Sequence, residues 1–303
     1  MKRTTVARSE PGAAAPDAPP WAAGVAGLAT RYAEVNGARL RYVVAGSGAS
    51  LVLLHTLRTQ LDMFQKVIPT LATRFRVWAL DHPGHGHSEA PDADYSADFF
   101  VASAARFLDR MEIEDAIIVG ESIGGTIALV LAARHHPRVR GVVAVNPYDY
   151  GRGRGLRRSS ALANVVFGVS EIPVVGDVMR WVHPYPVVKR IFEGGVFRPD
   201  AFPPALLREL YTAGGEPARL RAFLRLIRHW PSWERARAEY AGIDRPVLLL
   251  YGDHDWSREE EREADRRSIP GARMRVIERA GHFLALDAPE ALARAIVEFA
   301  ETR

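Results

Sequence analysis

Ile117-Ile118-Val119-Gly120-Glu121-Ser122-Ile123-Gly124-Gly125 sets a serine in a glycine frame between two apolar runs. Ala116 to Val119 is continuous, apolar and partly β-branched, the pattern of a strand buried on both faces, and Ile127 to Ala133 is an apolar helix-forming run. Gly120-Glu121-Ser122-Ile123-Gly124 fits G-x-S-x-G, a sharp strand-to-helix turn. Such a turn exposes the hydroxyl beside free amides at a helix start, where developing negative charge is stabilised. Two other readings compete. Gly120 to Thr126 spells G-x-x-x-x-G-T but lacks the lysine of a phosphate-binding loop, and a glycine-rich turn carrying an ordinary serine is the plainer alternative.

The rest of the chain narrows the choice. Its 303 residues, 48% of them hydrophobic, suffice for one large α/β domain with an insertion or for two modest domains. The sequence pI near 9.5 comes from dispersed arginines: Lys2, Lys66 and Lys189 are the only lysines among 40 basic residues, and no polybasic tract points to a nucleic-acid partner. Without cysteine there is no disulfide, thiol chemistry or cysteine metal site. No apolar run reaches the roughly 20 residues of a membrane span. Residues 1–30, rich in proline and alanine up to about Ala23, read as a flexible tail without the apolar centre of a secretory signal, so a cytoplasmic location is expected.

Going along the chain, Arg31 to Ala45 reads as a hairpin turning at Asn36-Gly37, and Leu51 to His55 and Val77 to Leu80 as buried strands. Met63, Val67, Ile68 and Leu71 lie between these at helical spacing. Ser96 is placed to cap a helix from Asp98 to Met111. Strands are expected again at Val142 to Val145, Val247 to Tyr251 and Met274 to Ile277. A last helix opens at Asp287-Ala288-Pro289-Glu290, read as a capping box with proline in the first turn, and buries Leu292, Ile296 and Phe299. Between 147 and 243 the alternation lapses. The expected architecture is a doubly wound, mostly parallel sheet over 31–146 and 244–303, interrupted by a mainly helical cap over 147–243.

A serine hydroxyl needs a base, and the base needs an acid to hold its tautomer. Tyr251-Gly252-Asp253-His254-Asp255 and Ala280-Gly281-His282 each follow an expected strand, at the ends where doubly wound sheets build their sites. The order Ser122, Asp255, His282, with Asp81-His82-Pro83-Gly84-His85-Gly86-His87-Ser88 after the preceding strand, resembles the α/β-hydrolase fold superfamily, specifically its cap-bearing, esterase-like serine hydrolases. The resemblance covers Arg31 to Arg303. It implies Ser122 as nucleophile, His282 as base and then acid, and Asp255, three residues after the strand-ending glycine, as orienting acid in preference to Asp253. By position the oxyanion donors are the amides of Ile123 and Leu57, although the family usually has His-Gly where this chain has His55-Thr56.

The implied activity is cofactor-independent hydrolysis of a small carboxylic ester, lactone or thioester through an acyl-enzyme. Carbon-carbon bond hydrolysis, acyl transfer and perhydrolysis are alternatives on the same triad, and a non-catalytic receptor that retains the triad is a rival of another class. Haloalkane dehalogenase and epoxide hydrolase chemistry is disfavoured, because in this fold it uses an aspartate where Ser122 stands. Asp81, His82, His85 and His87 tempt as a metal site, but a proline- and glycine-containing loop is structural in the family and no metal is expected. Leu220, Phe223, Leu224, Ile227 and Trp230 share one helical face, with Arg221, Arg225 and Arg228 elsewhere. That pattern fits a cap helix facing the core or pocket better than one lying on a membrane. Tyr148, Tyr150, Trp181, Trp230 and Trp233 suggest an apolar or aromatic small-molecule substrate. Thr56 offers a hydroxyl, and Arg58 is either a meeting point for an anion or, more plainly, a solvated loop arginine.

Overall fold

In the computed structural model, which describes Pro19, Trp21, Ala22, Val25 and residues 27–151, 155–170, 172 and 184–302, eight strands share one sheet. They are β1 (Ala29–Val35), β2 (Ala38–Ala45), β3 (Ala49–Leu54), β4 (Phe75–Leu80), β5 (Ala116–Glu121), β6 (Val139–Val145), β7 (Val247–Gly252) and β8 (Arg273–Ile277). The helices used below are α1 (Ala97–Arg110), α2 (Ile123–Ala133), α3 (Ala161–Ser170), α4 (Tyr185–Glu193), α5 (Pro204–Gly214), α6 (Pro217–Arg228), α7 (Pro231–Ala236), α8 (Glu259–Ser268) and α9 (Pro289–Glu301). The sheet order is β1-β2-β4-β3-β5-β6-β7-β8, antiparallel where β2 meets β1 and β4 and parallel from β4 to β8. Most of the expected tail, and Trp181, lie outside the described residues.

Alternation along the central strands sends each face of the sheet to a different helix layer. Val52, Leu54, Ile118 and Leu249 face Phe100, Phe107 and Ile127, whereas Leu53, Val119, Val143 and Leu250 face Leu292, Ile296 and Phe299. Strand order reverses between β3 and β5, so the chain leaves adjacent strand ends in opposite directions and opens a crevice there. Ser122 stands at the end of β5, and His55-Thr56-Leu57 runs off the end of β3.

The glycine frame is a packing requirement. A Cβ on Gly120 would sit 2.0 Å from Gly124 O, and one on Gly124 would sit 2.2 Å from Leu54 O, at the end of β3. Gly124→Ala is therefore expected to cost about 1–3 kcal/mol or more through overpacking. A thermal melt unchanged from the parent would show that the two backbones do not press together there.

Two expected elements differ. Met63 to Leu71 is not one helix but a tight turn at Leu61–Phe64 and a single α-turn at Ile68–Leu71, because Pro69 opens a new first turn and the Leu61 amide is drawn to Asp81 Oδ1 (2.7 Å). The capping box before α9 does not form. Asp287 spends its carboxylate on Phe197 N (2.7 Å) and Gly281 N (2.8 Å), so it ties down the segment leading into His282 rather than its own helix.

A mainly helical cap insertion, α3 to α7, lies between β6 and β7. In α6, Leu220, Phe223, Leu224 and Ile227 are buried, and Trp230 is buried just beyond it, while Arg221 and Arg228 are exposed. Arg225 is half-buried, pairs with Asp92 and donates to Ala93 O (2.9 Å). No helix among the described residues is long and apolar enough to cross a membrane.

Candidate active site

Ser122 has φ 59° and ψ −119°, a backbone state that an L-residue adopts only under constraint. The constraint comes from three sides. Its N–H donates to Val145 O (2.8 Å), and its carbonyl receives Gly125 N (2.9 Å) and Tyr148 N (3.1 Å). The hydroxyl is thereby aimed out of the sheet, and His282 Nε2 lies 2.8 Å from Ser122 Oγ. His282 Nδ1 lies 2.5 Å from Asp255 Oδ1. With Nδ1–H donated to the carboxylate, Nε2 is left to accept the serine proton.

Asp255 is a carboxylate by environment. Burial alone would raise its pKa, but the His282 charge and hydrogen bond, with Ser257 donating to it through both N–H and O–H, hold it below the usual range. Asp253 goes elsewhere, 2.7 Å from the adjacent His254 Nδ1 and accepting Ala280 N (3.1 Å).

Leu57 and Thr56 line the same cavity as Ser122. Thr56 replaces the usual glycine without loosening the loop, because its carbonyl is held by three donors. His55 Nε2 accepts His82 N (2.9 Å), which leaves Nδ1–H to donate to Thr56 O (2.7 Å), and Thr59 adds its hydroxyl (2.8 Å) and its N–H (3.4 Å). A trans peptide points N–H opposite to C=O, so pinning the Thr56 carbonyl fixes the direction of the Leu57 amide. Neither Leu57 N nor Ile123 N has a backbone partner among the described residues.

The histidine-rich loop is structural here. His82 Nε2 meets His55 O (3.0 Å), His85 Nδ1 meets Pro83 O (3.0 Å), and burial pushes His85 down to about 4. Asp81 binds Arg41, and exposed His87 meets Glu209 (2.9 Å). Among the described residues no group of three or more His, Asp or Glu side chains is placed to hold a metal.

Of the aromatic candidates, Tyr148 lines the cavity, and its hydroxyl accepts Leu156 N (3.0 Å). Trp230 does not line it but packs behind Tyr148, with ring centroids 6.4 Å apart. Tyr150 also stands against Tyr148, and Trp233 packs on Phe100. The cavity holds about 300 Å³ and is lined mainly by apolar side chains of the cap, Phe167, Val188, Ile191 and Phe223 among them.

Three neighbours of the site were missed in the sequence. Trp256 stacks on the His282 ring at 3.8 Å and 13°, and is held by donating to Gly194 O (3.0 Å). Asn146 donates to Gly281 O (3.1 Å) and His282 O (3.0 Å) while accepting Gly252 N (2.9 Å), so one amide joins the strands carrying base and acid. Glu121, beside the nucleophile, accepts Ala285 N (3.0 Å) through Oε1 and leaves Oε2 buried without a partner.

Burial, with the Asp287 and Asp255 charges, pushes the Glu121 carboxyl up to about 8 against the opposing amides of Ala285 and Leu284. The folded protein therefore keeps a proton that the unfolded chain loses, and stability falls as pH rises from the unfolded pKa of 4.5 toward about 8. Glu121→Gln is expected to remove this slope and to be more stable than the parent by about 2–4 kcal/mol near pH 8, with little difference near pH 4. Calorimetric melts of both proteins across that range test it, and parallel pH profiles would contradict it.

A family model described as the alpha/beta hydrolase fold matches residues 49–168. The crystal structure of the enol-lactonase from Burkholderia xenovorans LB400 aligns over 89% of this chain and 99% of its own, with TM-score 0.66 and 24% identity, a likeness of fold. The chain has the α/β-hydrolase fold. This α/β-hydrolase is 26% identical to haloalkane dehalogenase 2 of Mycobacterium tuberculosis over 277 residues, 89% of this chain and 94% of that one. Over 111 residues, 35% of this chain and 39% of the relative, it is 43% identical to 2-hydroxymuconate semialdehyde hydrolase of Pseudomonas sp. strain CF600. These likenesses support a hydrolase of that fold.

Proposed function

We propose that the protein is a cofactor-independent serine hydrolase that cleaves a small carboxylic ester, lactone or thioester through an acyl-enzyme on Ser122. The observation that carries this reading is the continuous line from Asp255 Oδ1 through His282 to Ser122 Oγ, at 2.5 and 2.8 Å. In the first half-reaction Ser122 Oγ attacks the carbonyl carbon as its proton passes to His282 Nε2. The tetrahedral oxyanion meets the amides of Ile123 and Leu57. Collapse breaks the bond to the leaving group, which takes the proton back from His282 and leaves the acyl group on Ser122. Water then repeats the sequence, giving its proton to His282 and releasing the acid.

A serine at the elbow separates this chain from the aspartate nucleophile associated with dehalogenase and epoxide hydrolase chemistry in the fold. Residues 147–243 act as the cap over a core of 31–146 and 244–303, with the substrate's apolar part among cap side chains and Tyr148. Fluorophosphonate labelling located by peptide mass spectrometry tests the reading. Rapid modification of Ser122, together with turnover of p-nitrophenyl butyrate, is expected, and a serine inert to the probe in a folded protein would favour a ligand receptor.

A further inference from the structure

Arg41, buried on β2, and Arg58, half-buried just after β3, are treated differently by the chain. Arg41 is neutralised by Asp81 (2.7 Å) and by Asp62, so its charge is spent inside the fold. Arg58, one residue beyond Leu57, is turned inward rather than into solvent and has no ion pair among the described residues. Its Nε and Nη2, on the side of Gly214, are sealed from solvent without a hydrogen-bond partner, and its guanidinium stands 4.8 Å from the centre of the Phe223 ring. Burial with no carboxylate beside it lowers its pKa to about 10, which leaves it charged at neutral pH. An uncompensated cation in an apolar site costs stability, and the chain has placed one on the wall of the cavity that holds Ser122.

Two details define what it would meet. The recess on the other side of Arg58 holds about 20 Å³, room for a water molecule but not a carboxylate, so a ligand anion must arrive through the main cavity. Neighbouring His85 is held neutral, burial being the main cause, and Arg219 on the recess side is paired with Glu216, so neither adds a free cation. One guanidinium among apolar walls balances one negative charge. A dianionic phosphate would leave a charge buried unpaired, whereas a carboxylate brings the single opposite charge that the guanidinium lacks.

We infer that Arg58 recognises a carboxylate on the substrate, so that the hydrolase acts on apolar esters or lactones that carry a free acid group. This assignment rests on the serine hydrolase reading of the same site, but its test does not require turnover. In Ser122→Ala protein, titration calorimetry with octanoate and the isosteric neutral octanamide is expected to show octanoate bound about 10- to 100-fold more tightly. Adding Arg58→Gln or Arg58→Met should abolish that preference while leaving octanamide affinity nearly unchanged, and Arg58→Lys should retain part of it. Arg58→Met should also raise the melting temperature, since it removes an unpaired buried charge; a structural arginine would do the reverse.

Equal affinity for the two ligands, no octanoate binding, a preference that survives both neutral substitutions, or a lower melting temperature in Arg58→Met would overturn the assignment. Absence of any octanoate preference with Arg58 intact, alongside normal hydrolysis by the parent, would refute the substrate class alone. Anion preference in a protein whose Ser122 is inert would refute hydrolysis alone.

Discussion

Ser122→Ala is expected to lower kcat toward p-nitrophenyl butyrate by roughly 10⁵-fold or more, with the fold intact. The large loss follows from the division of labour at the site. His282 and Asp255 do nothing to a carbonyl on their own; they matter only by taking a proton from an oxygen that bonds to carbon, and among the described residues no other hydroxyl lies within hydrogen-bonding distance of Nε2. The small structural cost follows from what remains. The strained backbone at φ 59° is held by main-chain bonds to Val145, Gly125 and Tyr148 that alanine keeps, and His282 stays fixed by Asp255 below and Trp256 across its face. Because the three groups act as one unit, His282→Ala should cost nearly as much, and Ser122→Ala with His282→Ala should cost little more than either alone. Steady-state kinetics on the three proteins, with circular dichroism to confirm folding, check this. Turnover by Ser122→Ala within tenfold of the parent would end the acyl-enzyme reading.

What could be read from the chain, and what could not, divides along a physical line. The central strands were legible because both of their faces are covered, which demands unbroken apolar runs at Leu51, Ile117, Val142 and Val247 and leaves a turn after each. Their ends carry the loops, so the order Ser122, Asp255, His282 could be read with them. Local signals failed where a side chain had a distant claim on it. Asp287 has the sequence of a helix cap, yet two amides of the His282 and cap segments take its carboxylate. Thr56 reads as a break in the loop after β3, and only the meeting of His55, Thr59 and His82 shows that its carbonyl is held. Trp230 shares an apolar face with Phe223 but stops one layer short of the cavity. Arg58 reads as a surface residue because nothing local requires it to be inside, whereas its position follows from the packing of α5 and α6 over it. Trp256 and Asn146 had a findable cue, since each directly follows a residue at a strand's carboxyl end or the acid itself, where side chains converge on the site.

Asp255→Asn should lower kcat by about 10⁴-fold, a larger effect than loss of charge alone would give, because of how the amide must lie. In the parent, Oδ2 of Asp255 receives both the N–H and the hydroxyl of Ser257 while Oδ1 faces His282 Nδ1. Asparagine has one oxygen and one NH2 to place. Turning the NH2 toward Ser257 would set it against the backbone N–H, a donor that cannot rotate away, so the oxygen stays with Ser257 and the NH2 faces the histidine. A donor at that position forces Nδ1 to accept, and the single imidazole proton moves to Nε2, against Ser122 Oγ. The base is then occupied by its own proton at the moment it should take one. Asp253→Asn makes the control, since that carboxylate serves His254 and the Ala280 amide and does not touch the His282 ring. Its kcat should stay close to the parent's. If the two asparagine variants lost activity equally, the acid would be misassigned; if Asp255→Asn alone failed while still binding octanoate, the defect would lie in proton transfer, as the fixed Ser257 amide requires.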